Sequence, residues 1–104
     1  MSDMGSYEVL SHTALPECSI RIIRMRVSEH VAPHFHKHSA QVYTVLESEV
    51  EVRVGDQVMR LRPYETVRID VGQVHSIRAV DAEALVMSLS IPPMDRDDQH
   101  PVVE

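Results

Sequence analysis

The chain has 104 residues, ten of them Lys or Arg and sixteen Asp or Glu, giving a formal charge of −6 at pH 7. That length supports one core with little surplus, and the acidic balance excludes the clustered cationic surface that a nucleic-acid partner requires. One Phe and no Trp leave the core to Val, Ile, Leu and Met, and the single cysteine, Cys18, excludes an internal disulfide.

The amino terminus, Met1-Ser-Asp-Met-Gly-Ser6, lacks the basic segment and apolar run of a signal peptide, and no stretch reaches the apolar length of a membrane span. A soluble cytoplasmic protein without a membrane partner is expected. Cys18 has no base beside it in sequence and is read as an incidental or structural thiol.

The elements then follow in chain order. Ile20 to Val27 reads as a strand whose Ile22-Ile23 step breaks the alternation, predicting a bulge or a strand shared between sheets. Ala32 to His38 is extended. Ala40 to Glu47 carries apolar residues on both parities, the pattern of a strand buried on both sides. In Glu49 to Val54, valines alternate with charges, the mark of a half-buried strand. Gly55-Asp56, with Gly first, suits a type II′ hairpin turn.

Gln57 to Arg62 returns antiparallel, with Met59 and Leu61 on one face and Arg60 and Arg62 on the other. Pro63-Tyr64-Glu65 turns into Thr66 to Asp70, and Ser76 to Val80 and Ala84 to Ile91 complete the strands. No segment reads as a long amphipathic helix. Many short strands at regular spacing predict an all-β sandwich or barrel. Val50, Val52, Met59, Ile69, Ile77 and Met87 are the candidates for its interior. The nine arginines mostly alternate with apolar residues, as on a solvated strand face. Prolines 92, 93 and 101 exclude a central strand, so residues 92–104 are expected as an extended tail on the barrel or a neighbouring subunit. One domain, 1–104 with its core at about 20–91, accounts for the chain.

Histidines carry the chemistry. His34 and His36 stand in Ala32-Pro-His-Phe-His-Lys-His38, and His75 ends Asp70-Val-Gly-Gln-Val-His75. Alternate strand residues share a face, so His34 and His36 offer two imidazoles to one point, and His75 from another strand completes a facial set. Imidazole suits zinc, copper, iron and nickel, and three histidines with open positions form a common working site. Alone, a His-x-His-x-His run describes a solvated loop more often than a ligand set. Gly72 serves a tight turn, which also brings His75 into line. His38 shares the parity of His34 and His36 and is a candidate fourth ligand or a neighbour of the site. His12, His30 and His100 have no partner in sequence and are read as surface residues.

Ser28, His34, His36, Gln41 and Ser48 stand in register with Gly-x5-His-x-His-x4-Glu-x6-Gly, and Tyr64, Asp70, Gly72, His75 and Ala79 with Gly-x5-Pro-x-Gly-x2-His-x3-Asn. These are the two motifs of the cupins, and the chain resembles a small single-domain member, with fifteen residues, Glu49 to Pro63, between the motifs. The resemblance implies a jelly-roll β-barrel with a metal inside near the wider mouth, held by His34, His36, His75 and Gln41. It also implies a homodimer, which would cover the free sheet edges of a small barrel.

Both motif glycines are replaced, by Ser48 and Tyr64, and the proline by Asp70. Those changes concern turns. Gln41 in place of Glu concerns chemistry: three imidazoles and an amide leave a divalent ion (Fe, Mn, Ni, Zn or Cu) its full +2 charge. Such an ion favours small anionic oxygen chelators such as enolates, diketones or carboxylates. Tyr43 shares the face of Gln41; its hydroxyl can hold a substrate oxygen, or its ring can simply fill the core. Tyr43 and His38 are the candidate proton-transfer residues. Three functions remain open on these grounds: a dioxygenase-like enzyme cleaving a chelated enolate, a redox-silent isomerase or lyase of a carbonyl compound or sugar, and a non-catalytic binding protein.

Overall fold

The computed structural model describes residues 7–27 and 30–102. Among these described residues, ten strands form two five-stranded sheets. The strands are β1 (Glu8–Ala14), β2 (Ser19–Met25), β3 (His30–Phe35), β4 (Ala40–Glu47), β5 (Val50–Val54), β6 (Gln57–Leu61), β7 (Thr66–Ile69), β8 (His75–Ala79), β9 (Ala84–Ile91) and β10 (His100–Pro101). One sheet has the order β1-β2-β9-β4-β7 and the other β10-β3-β8-β5-β6. Every pairing is antiparallel. The chain crosses repeatedly between sheets, as a jelly roll must.

The inner faces meet in rungs, and polarity changes from one rung to the next. Ser19, Ser90 and Gln41 stand side by side, then Arg21, Ser88 and Tyr43, then Ile23, Val86 and Val45. In the facing sheet His34 pairs with His75 and His75 with Val54, followed by Ile77 with Val52 and Ala79 with Val50. One end of the barrel is therefore packed with aliphatic side chains: Met25, Val45, Val50, Val52, Ala79 and Val86 are all fully buried. The other end buries histidine, serine and glutamine.

Local features follow from residue chemistry. Gly55 has φ 58° and no other residue of that turn has a positive φ, which is the type II′ hairpin expected of Gly55-Asp56. Gly72 has φ 83°, the third position of a turn closed by Gln73 N–H donating to the Asp70 carbonyl at 3.1 Å. The Gly72 N–H donates to the His36 carbonyl at 2.7 Å, tying this turn to the end of β3. Ser48 and Tyr64, the two positions where the cupin motifs carry Gly, keep left-handed backbones with φ 64° and 71°.

Four expectations are corrected. The bulge at the Ile22-Ile23 step belongs to the partner strand: Val9 faces Ile23 and Ser11 faces Ile22, so Leu10 is the extra residue and β2 runs unbroken against β9. β4 is buried on one face only, with Gln41, Tyr43 and Val45 inside and Val42, Thr44 and Leu46 half-buried. Met87 lies on the outer parity of β9, opposite Ile22 and Thr44, because the inner parity is Ala84, Val86, Ser88 and Ser90. Residues 92–102 are more than an extended tail: they form a 3-10 turn at Arg96–Asp98, and β10 pairs with β3. Ser28, the first motif position, and the side chain of His30 lie outside the described part.

Candidate metal centre

His34, His36 and His75 are buried, at 3%, 2% and 0% exposure, and converge. Each offers a ring nitrogen within 4.8 Å of the others. The convergence has a backbone cause. Between Val31 and His34 the β3 register slips by one residue against β8, a bulge at Ala32-Pro33 that places His34 opposite His75. Proline, which has no N–H to lose from the ladder, suits that site.

The outer ring nitrogens determine the tautomers. His34 Nδ1 lies 2.7 Å from the Ala32 carbonyl, His36 Nδ1 2.7 Å from the Asp98 carbonyl and His75 Nδ1 3.0 Å from the Gln73 carbonyl. A carbonyl only accepts, so each Nδ1 carries a proton and Nε2 is the nitrogen turned inward. Burial, aided by His36 and opposed by donation to the Ala32 carbonyl, lowers the pKa of His34. Burial first, then His34, pushes His75 down to about 3. The imidazoles of His34 and His75 are thus held in the ligand form.

Gln41 completes the set. Its Oε1 lies 3.0 Å from His36 Nε2 and 3.1 Å from His75 Nε2, and accepts from the Tyr43 hydroxyl at 3.0 Å; its Nε2 donates to Ser90 Oγ at 3.2 Å. The inward Nε2 atoms of His36 and His75 thus crowd an amide oxygen that is itself only an acceptor. A cation resolves that arrangement, and these residues fit one. An amide can also turn over and offer its NH₂ to the same nitrogens when no ion is held. Burial, aided by Tyr7, raises the Tyr43 pKa, so the phenol stays protonated and acts as a donor.

A cavity of about 30 Å³, open to solvent at its mouth, adjoins this centre. Its wall includes His34, Gln41, Tyr43, Ile77, Ser88 and Ser90, with Arg21 from β2 and Met94 and Gln99 from the carboxy-terminal segment. His38 is exposed in the turn after β3 and is not among the lining residues. Arg21 was expected on a solvated face; it lines the cavity because it shares the inner parity of Ser19 and Ile23. Its Nε donates to His12 Nδ1 at 3.0 Å. By contrast, Arg24, Arg60, Arg62, Arg68 and Arg78 pair with carboxylates.

Asp98 is the other residue the sequence did not bring forward. Its carboxylate is buried and accepts from the backbone N–H groups of Lys37 (2.7 Å), His38 (3.0 Å) and Ser39 (3.1 Å). Burial would raise its pKa, but these three donors outweigh it and hold the carboxyl below its ordinary value. No spacing rule connects Asp98 with His36, 62 residues earlier.

The profile of the cupin domain matches residues 21–92. The chain belongs to the cupin family. Solved structures agree on the fold. TT1209 from Thermus thermophilus superimposes with a TM-score of 0.76 at 22% identity, over 90% of this chain and 89% of that one. KdgF from Halomonas sp. gives 0.74 at 22%, over 92% and 84%. BH2720 from Bacillus halodurans gives 0.77 at 18%, over 94% and 76%. At such identities the likeness is one of fold alone. No curated protein sequence matches the chain significantly. Among the described residues of this cupin, no helix is long and apolar enough to cross a membrane.

Proposed function

We propose that this cupin is a metal-dependent enzyme acting on a small, anionic, oxygen-chelating molecule, with a divalent transition ion on His34, His36, His75 and Gln41. Arg21 carries the reading: it lines the same cavity as His34 and Gln41, donates to the His12 imidazole, and among the described residues has no carboxylate partner. Its guanidinium fork is suited to a carboxylate or enolate. The neutral Gln41 amide supports the same charge preference by leaving the ion its full +2.

Oxidative cleavage comes ahead of isomerisation. An already enolised chelate needs no general base, which suits a described lining whose titratable side chains are His34, Arg21, Tyr7 and Tyr43. The bound ion would supply redox chemistry with dioxygen; overall one C–C bond breaks and each new terminus takes one oxygen atom. Tyr43, protonated, would turn its single O–H from Gln41 Oε1 to a substrate oxygen. The experiment is oxygen uptake by iron-loaded protein with anionic and neutral 1,3-dicarbonyls. Uptake that favours the anions in the wild type, and loses that preference in Arg21→Gln, is expected. No uptake with any of them would sink the oxidative reading.

A second reading, a redox-silent isomerase or lyase of a sugar-like carbonyl compound, is favoured by the hydroxyls of Ser88, Ser90 and Tyr43 on the cavity wall. Aldose–ketose conversion by zinc- or manganese-loaded protein would select it. Binding of such a compound without turnover would instead favour a non-catalytic cup. The reading also includes a homodimer of about 24 kDa, twice 11.8 kDa. Ile20, Leu89 and Val42 form one outward rung and Ile22 and Met87 another, an apolar outer face that a second copy would cover. Sedimentation at micromolar concentration tests it, and a monomer would contradict it.

A further inference from the structure

We propose that Asp98 is the positioning residue of the metal centre, and that the segment Met94–Pro101 is a strap whose docking and the binding of the ion are one coupled equilibrium. The proposal rests on the metal reading of the triad and is independent of which reaction follows.

The three ligands are not held alike. His34 and His75 donate to carbonyls two residues upstream in sequence, Ala32 and Gln73. His36 donates to the main-chain carbonyl of Asp98. Its orientation is set from outside its own strand. The same Asp98 holds the backbone that follows His36, since its carboxylate takes the N–H groups of three successive residues, 37–39. Successive N–H groups turned to one point make an anion seat, and here the anion belongs to the strap. His36 is therefore gripped at its ring by the Asp98 carbonyl and at its exit by the Asp98 carboxylate.

Further contacts fasten the strap. The Met94 N–H donates to Ser19 Oγ at 2.8 Å, Ser39 Oγ donates to the Pro92 carbonyl at 3.1 Å, and β10 pairs with β3 across Phe35 and His34. Asp95 caps the 3-10 turn through Oδ1, which accepts from the Asp97 N–H at 2.9 Å. The strap also supplies Met94 and Gln99 to the cavity wall. Lifting it frees the His36 ring and opens the wall together. By linkage, an ion that needs His36 in place favours the docked strap by the same factor as docking favours the ion.

The test uses the full chain as wild type, Asp98→Asn and Asp98→Ala, with zinc affinity read by competition against a chromophoric chelator and amide exchange read with and without zinc. Asp98→Asn keeps shape and one acceptor oxygen, so it remains informative if the alanine variant does not fold. Loss of an outer partner of a metal ligand weakens affinity about 10- to 100-fold. The carbonyl that His36 uses is kept in both variants and is lost only as the strap lifts, so about 10-fold is expected for Asp98→Asn and up to about 100-fold for Asp98→Ala, while amides of the β4–β9 pair stay protected. Zinc should slow exchange at Lys37, His38, Ser39 and Asp98 in the wild type, and less so in Asp98→Asn. Zinc affinity within threefold of wild type, with those amides exchanging faster, overturns the strap and leaves the metal centre standing. A wild-type protein that takes up no zinc or other transition ion overturns the metal reading, and this proposal with it.

Discussion

The two ends of the barrel are built from the same strands and do opposite work. β2 presents Ser19 and Arg21 inward at one end and Ile23 and Met25 at the other; β9 presents Ser90 and Ser88, then Val86 and Ala84; β4 presents Gln41 and Tyr43, then Val45. The aliphatic end is close-packed hydrocarbon, where the stability of a small domain must come from. The polar end buries groups that are costly to bury unless partnered. Its partners are each other, backbone carbonyls and, on the reading above, an ion. Stability and chemistry are thus separated along each strand by one rung of the ladder. A mutation two residues away on one strand should change a different property.

The largest effect expected from a single side chain is at the aliphatic end. Met25, at the aliphatic end of β2 and 0% exposed, should cost about 2–5 kcal/mol when replaced by Ala, the usual range for a buried aliphatic residue. Denaturant unfolding measures this. Metal stoichiometry at saturation should be unchanged, and its loss would show that the two ends are not separable.

Arg21→Gln should leave unfolding free energy nearly unchanged and weaken an anionic chelator by about 1.5–3 kcal/mol, the range for a hydrogen bond to a charged group. Titration calorimetry of metal-loaded protein with one dicarboxylate and its neutral diester reads the difference. Equal losses for both ligands would remove Arg21 as the source of charge selection. Gln41→Glu tests the ion's charge from the other side. Metal should bind more tightly and anionic chelators more weakly, by about tenfold (about 1.4 kcal/mol) in each direction. Stronger anion binding in this variant at saturating metal would contradict the charge argument.

The smallest effect concerns turns. Tyr64 is 82% exposed and holds φ 71°, a conformation that costs a non-glycine residue about 1–2 kcal/mol. Tyr64→Gly relieves that strain but adds freedom to the unfolded chain. The net expectation is a gain of about 0.5–1 kcal/mol, seen as a higher melting temperature with unaltered metal affinity.

The same contrast explains what could be read from the sequence. The aliphatic end follows strict alternation, so Val50, Val52 and Ile77 were legible as interior, and Gly55-Asp56 announced its turn. The ligand triad was legible because His34, near the end of β3, and His36, just past it, lie two apart, and Gly72 brings His75 in. At the polar end, hydropathy points the wrong way. On β9 the more apolar parity, with Leu85, Met87 and Leu89, faces outward, and the parity with Ser88 and Ser90 faces in. Arg21 was hidden by the same inversion, since an arginine between isoleucines reads as solvated. Asp98 was hidden by distance, because its partners are a ring and three N–H groups about sixty residues earlier, and backbone donors leave no mark in sequence.

The central claim is that one transition ion is held by imidazoles at the polar end. Elemental analysis of protein purified without added metal, wild type beside the His34→Ala/His36→Ala double variant, tests it most directly. One transition ion per chain in the wild type, and none in a double variant that keeps its β-sheet circular dichroism, is the predicted result. Full occupancy in the double variant, or a wild type that takes up no ion even when one is offered, would contradict it.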